Sequence, residues 1–313
     1  MKQIYRILKI SALTLFSLVA FQTTLFAQEE ATQDTTVQEE PKERPVRPAF
    51  ESGLMFDAAT TTLQPSKTLE FVLQHRFGYI DGADNFFGIW GASNIRVGLN
   101  YSFLDNLTVG IGTTKNKRIQ DLQVKYRVLE QTRSNSIPVT VMLYGVAGIE
   151  GGDKALWDQS QGAPNYKFSN RMSYFGQLNV SRRFNDNLSL QVGGSFTHYN
   201  CVDSVYNHDR VALSFLGRYK FSPQGAFIVA GDFPLDIESL KDYKKDADAN
   251  TIIYDKPNLS VGFEISTSTH AFQIYLQSAQ GILPQEDIMW NDKDFFKKGG
   301  FLIGFNLTRL WNF

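Results

Sequence analysis

TLEFVLQHRFGY (68–79) and NIRVGLNYSF (94–103) decide how this chain folds. In the first, Leu69, Phe71, Leu73, His75, Phe77 and Tyr79 share one parity, and Glu70, Gln74, Arg76 and Gly78 share the other. In the second, Ile95, Val97, Leu99, Tyr101 and Phe103 alternate with Asn94, Arg96, Gly98, Asn100 and Ser102. Successive side chains of a strand point to opposite faces, so a period of two means β-strands with one apolar face. The pattern repeats to the C-terminus. It predicts twelve strands at about 68–79, 94–103, 107–114, 119–129, 138–149, 170–184, 188–198, 211–221, 226–233, 258–266, 270–278 and 300–313. Most reach the roughly 9–11 residues of a tilted membrane-spanning strand. Soluble strands centre on about 5–6.

The connections fall into two groups. Leu104–Asn106, Asn185–Asn187, Ser222–Gln224 and Thr267–Thr269 are tight turns of turn-forming residues, with 130–137 longer on the same side. Segments 80–93, 150–169, 199–210, 234–257 and 279–299 are long, and only Lys115–Arg118 is short among them. Short turns on one rim and long loops on the other describe an outer-membrane barrel. An even strand count puts both chain ends on the short-turn rim, which is then periplasmic. A soluble sandwich alternates too, so charge on the apolar face separates the two. In a chain that is 20% charged, only Arg182 and Arg309 fall on that face, near strand ends where long side chains reach the interface. Tyr101, Phe103, Phe184, Tyr219, Phe221, Trp311 and Phe313 gather at the same ends like an interfacial girdle. The last strand places Phe305, Leu307, Trp311 and the terminal Phe313 on one face, which looks like the signal read by barrel assembly machinery. The expectation is an all-β antiparallel transmembrane β-barrel of about twelve strands over 68–313, with both termini periplasmic and lipid around it.

Ahead of the barrel, Lys2, Arg6 and Lys9 precede an apolar run from Ile10 to about Phe21, and Ala27 precedes Gln28. That order reads as a cleaved secretory signal peptide over 1–27. Residues 28–48 are acidic and proline-bearing and are expected to form a disordered linker. Residues 49–67 carry Phe50, Leu54, Met55 and Phe56 and are expected beneath the barrel or inside its lumen.

Net charge is −1, from 31 Lys plus Arg against 32 Asp plus Glu, so no basic field for nucleic acid exists. Cys201 is the one cysteine, which excludes a disulfide framework and a cysteine-rich zinc site. His75, His198, His208 and His270 are never spaced as a ligand pair, so no metal or cofactor is expected. An enzymatic serine–histidine pair on the outer wall fails on parity, because Ser195 points inward while His198 points outward. The loop around Asp242, Asp246, Asp248 and Asp255 is neutralised by neighbouring lysines, and the glycine-rich stretch 151–162 lacks phosphate-loop spacing.

The inward parity carries the candidate pore-lining residues Arg76, Arg96, Lys125, Arg127, Arg171, Arg218, Glu70, Asp121 and Glu264, with Arg183, Lys220 and Asp232. The surplus is positive, and pore charge sets selectivity. The reading is a narrow channel for small polar or anionic solutes. The alternative is a non-conducting structural or ligand-binding barrel, and a lipid hydrolase is a more distant one. Twelve strands lie between side-chain-filled and water-filled barrels. Two features separate the first two readings: whether the interior charges pair, and whether 49–65 fills the lumen. On parity, Arg at Leu99 or Leu190 should be costly and Arg at Asn100 or Gln191 much less so.

Long phrases resemble a known family. They include FESGLMFDAATTTLQPSKTLEFVLQHRFGYI (50–80), FGIWGASNIRVGLNYSF (87–103), IGTTKNKRIQDLQVKYRVLEQTR (111–133), SNRMSYFGQLNVSRRFNDNLSLQV (169–192) and FLIGFNLTRLWNF (301–313). The resemblance is to a Bacteroidetes family of outer-membrane β-barrels of unknown function, and it covers nearly everything after the linker. It implies fold and location, and no catalytic or binding residues.

Overall fold

A computed structural model describes residues 43–83, 85–152, 166–202, 206–237 and 256–313. The expected signal peptide, most of the linker, most of the glycine-rich stretch and the Asp242–Asp255 loop lie outside the described residues.

Two short strands, β1 (Leu54–Met55) and β2 (Ala58–Ala59), form a hairpin. Twelve long strands follow: β3 (Thr68–Tyr79), β4 (Asn94–Leu104), β5 (Leu107–Thr114), β6 (Gln120–Leu129), β7 (Thr140–Ile149), β8 (Met172–Arg183), β9 (Leu188–Tyr199), β10 (Asp209–Lys220), β11 (Gly225–Leu235), β12 (Asn258–Ser266), β13 (His270–Gln277) and β14 (Leu302–Asn312). Each expected strand is present, within two residues at every end. They form one closed antiparallel barrel in sequence order, and β14 pairs with β3 to complete it. Closure leaves no unpaired edge, the condition for a sheet in lipid. Thr68 lies opposite Asn312, so the first strand begins and the last ends on the rim of the short turns. A single short helix, α1 (Pro284–Trp290), interrupts the last long loop. No helix of the described residues is long and apolar enough to cross a membrane.

Parity behaves as the sequence requires. Leu99, Ile111, Val192, Ile265 and Ile274 stand exposed on the outer wall, while Arg76, Arg96, Asn100, Asp121, Gln191 and Asn306 are buried within. Arg182 and Arg309, the two charges the pattern puts on the outward face, lie against Phe184 and Trp311, with guanidinium carbons 5.5 and 4.8 Å from the ring centroids.

The inner wall differs from expectation in one respect. It is apolar on one side, where Met142, Tyr144, Val146, Phe175, Ala212, Leu216, Ala226 and Ile228 turn inward and are buried. They pack against Phe50, Met55, Phe56, Ala59 and Leu63 and against Ile288 of α1. The chain's own segment 49–63 therefore lies in the lumen, and much of the hydrophobic core sits inside the barrel. Residues 43–48, part of the expected disordered linker, are held against the barrel. Val46 N–H donates to Gln131 O at 2.8 Å and Arg133 N–H to Arg44 O at 3.1 Å, which fastens the chain to the turn after β6.

Candidate functional site

The lumenal segment has few secondary-structure partners, so its backbone polar groups must be satisfied by side chains. Four inward amides do this from around the wall. Gln191 of β9 accepts from Thr61 N–H at 3.0 Å and donates to Ala59 O at 2.9 Å. Gln273 of β13 accepts from Phe56 N–H at 3.1 Å and donates to Leu54 O at 3.0 Å. Gln74 of β3 and Asn306 of β14 both donate to Phe56 O, at 3.2 and 2.6 Å. Phe56 turns the hairpin with φ 58°, a conformation L-residues rarely adopt, and these three amides hold it there. Uncharged polar residues of the inward face are thus hydrogen-bond partners of the segment. Gly53 is closely packed here: a Cβ would lie 3.2 Å from Glu70 Oε1 and 3.4 Å from Lys125 Nζ, and those side chains would have to give way.

The candidate pore-lining charges separate into an interior set and a rim set. Inside, Arg96 grips Asp121 with two contacts, Nε–Oδ2 2.9 Å and Nη2–Oδ1 2.7 Å, and donates to Gln74 at 3.1 Å. Arg218 Nε donates to Glu264 at 2.9 Å, and Glu264 also accepts from Ser52 of the segment at 3.2 Å and from Gln273 at 3.0 Å. Glu70 accepts from Asn100 at 2.7 Å. Lys125 donates to Gly53 O. Arg76 donates to the Tyr275 hydroxyl and lies 4.0 Å from Asp57 of the segment. Arg127 sits on the short-turn rim with Glu130 at 2.9 Å, and Arg171 on the opposite rim with the carbonyls of Glu150 and Gly152 at 3.1 and 3.0 Å. The nine residues therefore do not form one ring.

The expected positive surplus is absent from the buried interior. Parity counted rim arginines and omitted acids supplied from elsewhere. Among the described residues the buried cations are Arg76, Arg96, Lys125 and Arg218, against the carboxyls of Asp57, Glu70, Asp121, Asp232, Glu264, Glu286 and Asp287. Asp57 comes from the lumenal segment and Glu286 and Asp287 from α1, positions that strand parity does not see. The packing of the inward sites argues against the expected cheap Arg substitution there. Asn100 is 7% exposed and lies so close over Gly110 that a Cβ there would be 1.9 Å from its Oδ1.

On the outer wall, His198 pairs with Asp209 at 2.5 Å and with Asn200 at 3.0 Å. Asp209 falls outside the strand the alternation predicts, because β10 begins two residues before that strand. Ser195 is buried on the inner face and bonds Ala212 O at 3.4 Å, so it does not meet His198. His75 stacks on Phe305 at 5.0 Å as a wall residue. Phe305 and Leu307 stand half-buried on the outer face, and Trp311 and Phe313 are exposed at its rim. A cleft of about 560 Å3 opens on the short-turn rim, lined by residues that include Pro48, Phe50, Leu63, Arg127 and His270.

The family described as "Membrane bound beta barrel domain (DUF5777)" matches residues 50–311. The chain belongs to that family. The membrane-bound barrel family's match begins at Phe50, so it takes in the lumenal segment as well as the wall. No curated protein matches the chain in sequence. Among solved structures, an outer membrane channel from Pseudomonas putida F1 is 12% identical with TM-score 0.45, the match covering 80% of this chain and 97% of that one. The KdgM porin is 9% identical with TM-score 0.40, covering 79% and 99%. LpxR from Salmonella typhimurium is 10% identical with TM-score 0.37, covering 79% and 100%. No activity is transferred from likenesses this distant.

Proposed function

We propose that this protein is an outer-membrane barrel kept shut by its own N-terminal segment, serving as a ligand-binding or structural barrel rather than an open pore. One observation carries the reading: residues 49–63 occupy the lumen, clamped by amides from β3, β9, β13 and β14 and packed on an apolar inner wall. The paired interior charges support it, since Arg96–Asp121 and Arg218–Glu264 are spent on the wall rather than presented to a solute. Passage of a small polar solute would require the segment to leave. In this reading the short-turn rim, with both ends of the barrel, faces the periplasm. The leader 1–27 is removed on export, the rest of 28–42 lies in the periplasm, and Phe305, Leu307, Trp311 and Phe313 are read by assembly machinery.

The test is single-channel recording in planar bilayers. Residues 28–313, refolded to a heat-modifiable barrel, should give no stable conductance steps, and a variant lacking 43–64 should conduct. Stable steps from the intact chain would overturn the reading, whether or not the deletion variant folds.

A further inference from the structure

A second cleft, of about 220 Å3, opens on the long-loop rim. Its lining includes Tyr79, Asn116, Lys117, Glu286, Asp287 and Trp290. Glu286 and Asp287 come from α1 and are 7% and 2% exposed. No N–H or hydroxyl of the wall donates to Asp287, whose hydrogen-bond partner is the Asp57 carboxyl, and Glu286 accepts at 3.5 Å from the Ile282 and Leu283 N–H groups. The lysines around the cleft are engaged: Lys117 with Glu150 at 3.3 Å and over the Trp290 ring at 5.6 Å, and Lys293 with Asp292 at 2.9 Å. Behind Asp287 stands the carboxyl of Asp57, with Arg76 4.0 Å beyond it. Burial, and then Asp57 beside it, push the Asp287 carboxyl well above the usual carboxylate range, and burial raises Glu286 too.

Carboxylates out of water draw in positive charge, as a proton or as a cation; here Lys117 acts on Glu286 and Arg76 on Asp287, each cation already shared with another carboxylate. The whole buried interior shares that imbalance, with four cations to seven carboxyls. Room exists for more than a proton here, beside aromatic faces that attract ammonium and guanidinium groups. The volume falls below the roughly 300–1,000 Å3 of drug-sized sites, so the ligand is small. We propose that this cleft binds a small organic cation, an alkylammonium or guanidinium compound, with Asp287 and Glu286 as counter-charges and Trp290 as its aromatic wall. The assignment rests on the closed-barrel reading, because an open lumen would hydrate Asp287 and remove the drive.

Isothermal titration of the refolded intact chain tests it, with butylamine and methylguanidine as probes and butanol and butyrate as matched neutral and anionic controls. Measurement in two buffers of different ionisation enthalpy counts protons. Both cations should bind saturably with proton release, and neither control should bind. Asp287→Asn should weaken binding about tenfold or more. It should leave the barrel at least as heat-stable, because the amide still donates to the Asp57 carboxyl and carries no titrating group. Failure of both cations to bind, or binding unchanged in Asp287→Asn, would overturn the site. If the same preparation stays non-conducting, the closed barrel survives that failure. Conductance from it would instead sink the closed barrel.

Discussion

Arg96→Met separates a filled lumen from a wet one by magnitude. The Arg96 side chain is 3% exposed and that of Asp121 is 0% exposed. In a water-filled pore such a pair would be solvated and worth about 0–1 kcal/mol. In the packed lumen the substitution strands Asp121, whose remaining side-chain donor is Gln123 at 3.0 Å. Breaking a buried pair by removing one partner costs about 3–5 kcal/mol. Removing both charges with Arg96→Met/Asp121→Leu should recover most of that loss, since no bare carboxylate is left. The assay is urea unfolding of barrels refolded in lipid vesicles, followed by the fluorescence of the four tryptophans. A loss below about 1 kcal/mol in the single variant would place the pair in water and refute the packed lumen. A double variant no better than the single would refute the assignment of the loss to Asp121.

Four further outcomes follow from the structure. Gly112→Ala should cost about 1–3 kcal/mol in that titration, because its Cβ would lie 2.2 Å from Arg96 Nη2 and 2.6 Å from Asp121 Oδ2. Gly176→Ala, on the outer wall with nothing within 4 Å, should cost nothing measurable. Leu99→Arg should cost about 2–4 kcal/mol if the outer wall meets hydrocarbon at that depth, and a neutral result in vesicles would remove Leu99 from the lipid face. The Ser134 and Ser136 hydroxyls hold the Glu43 carboxyl below its usual range. A depressed carboxylate contributes when ionised, so this docking should be complete at neutral pH and weaken only as acid carries the pH through the lowered value. A fluorophore at Arg47→Cys, on a Cys201→Ser background, should respond only below about pH 4.3, the ordinary Glu value. A transition centred near neutrality would contradict that contact.

The barrel wall was legible because strand parity is local and lipid tolerates almost no charge on one face. Leu69 to Tyr79 and Ile95 to Phe103 state it within a dozen residues each. The lumenal segment was not legible, because its partners lie far along the chain: Thr61 meets Gln191 and Ser52 meets Glu264. One signal was available. TVMLYGVAGI (140–149) is apolar on both parities, as a strand buried on both faces must be. A strand between lipid and water has no reason to place Met142, Tyr144 and Val146 inward. The charge surplus misled because parity is blind to height along a strand. It assigned Arg127 and Arg171 to the interior when each sits at a rim, and it had no means to add Asp57, Glu286 and Asp287.

The central claim is that residues 49–63 occupy the lumen. Thr61 Oγ1 and Ser181 Oγ, from the segment and from β8, lie 2.5 Å apart. Cysteines at these two positions, on a Cys201→Ser background, stand close enough for a disulfide. Mild oxidation of the folded barrel, followed by maleimide labelling and mass measurement, reads the outcome. The account predicts near-complete cross-linking with neither thiol labelled. Two free thiols, both labelled by maleimide in a barrel that remains heat-modifiable, would put the segment outside the lumen and contradict it.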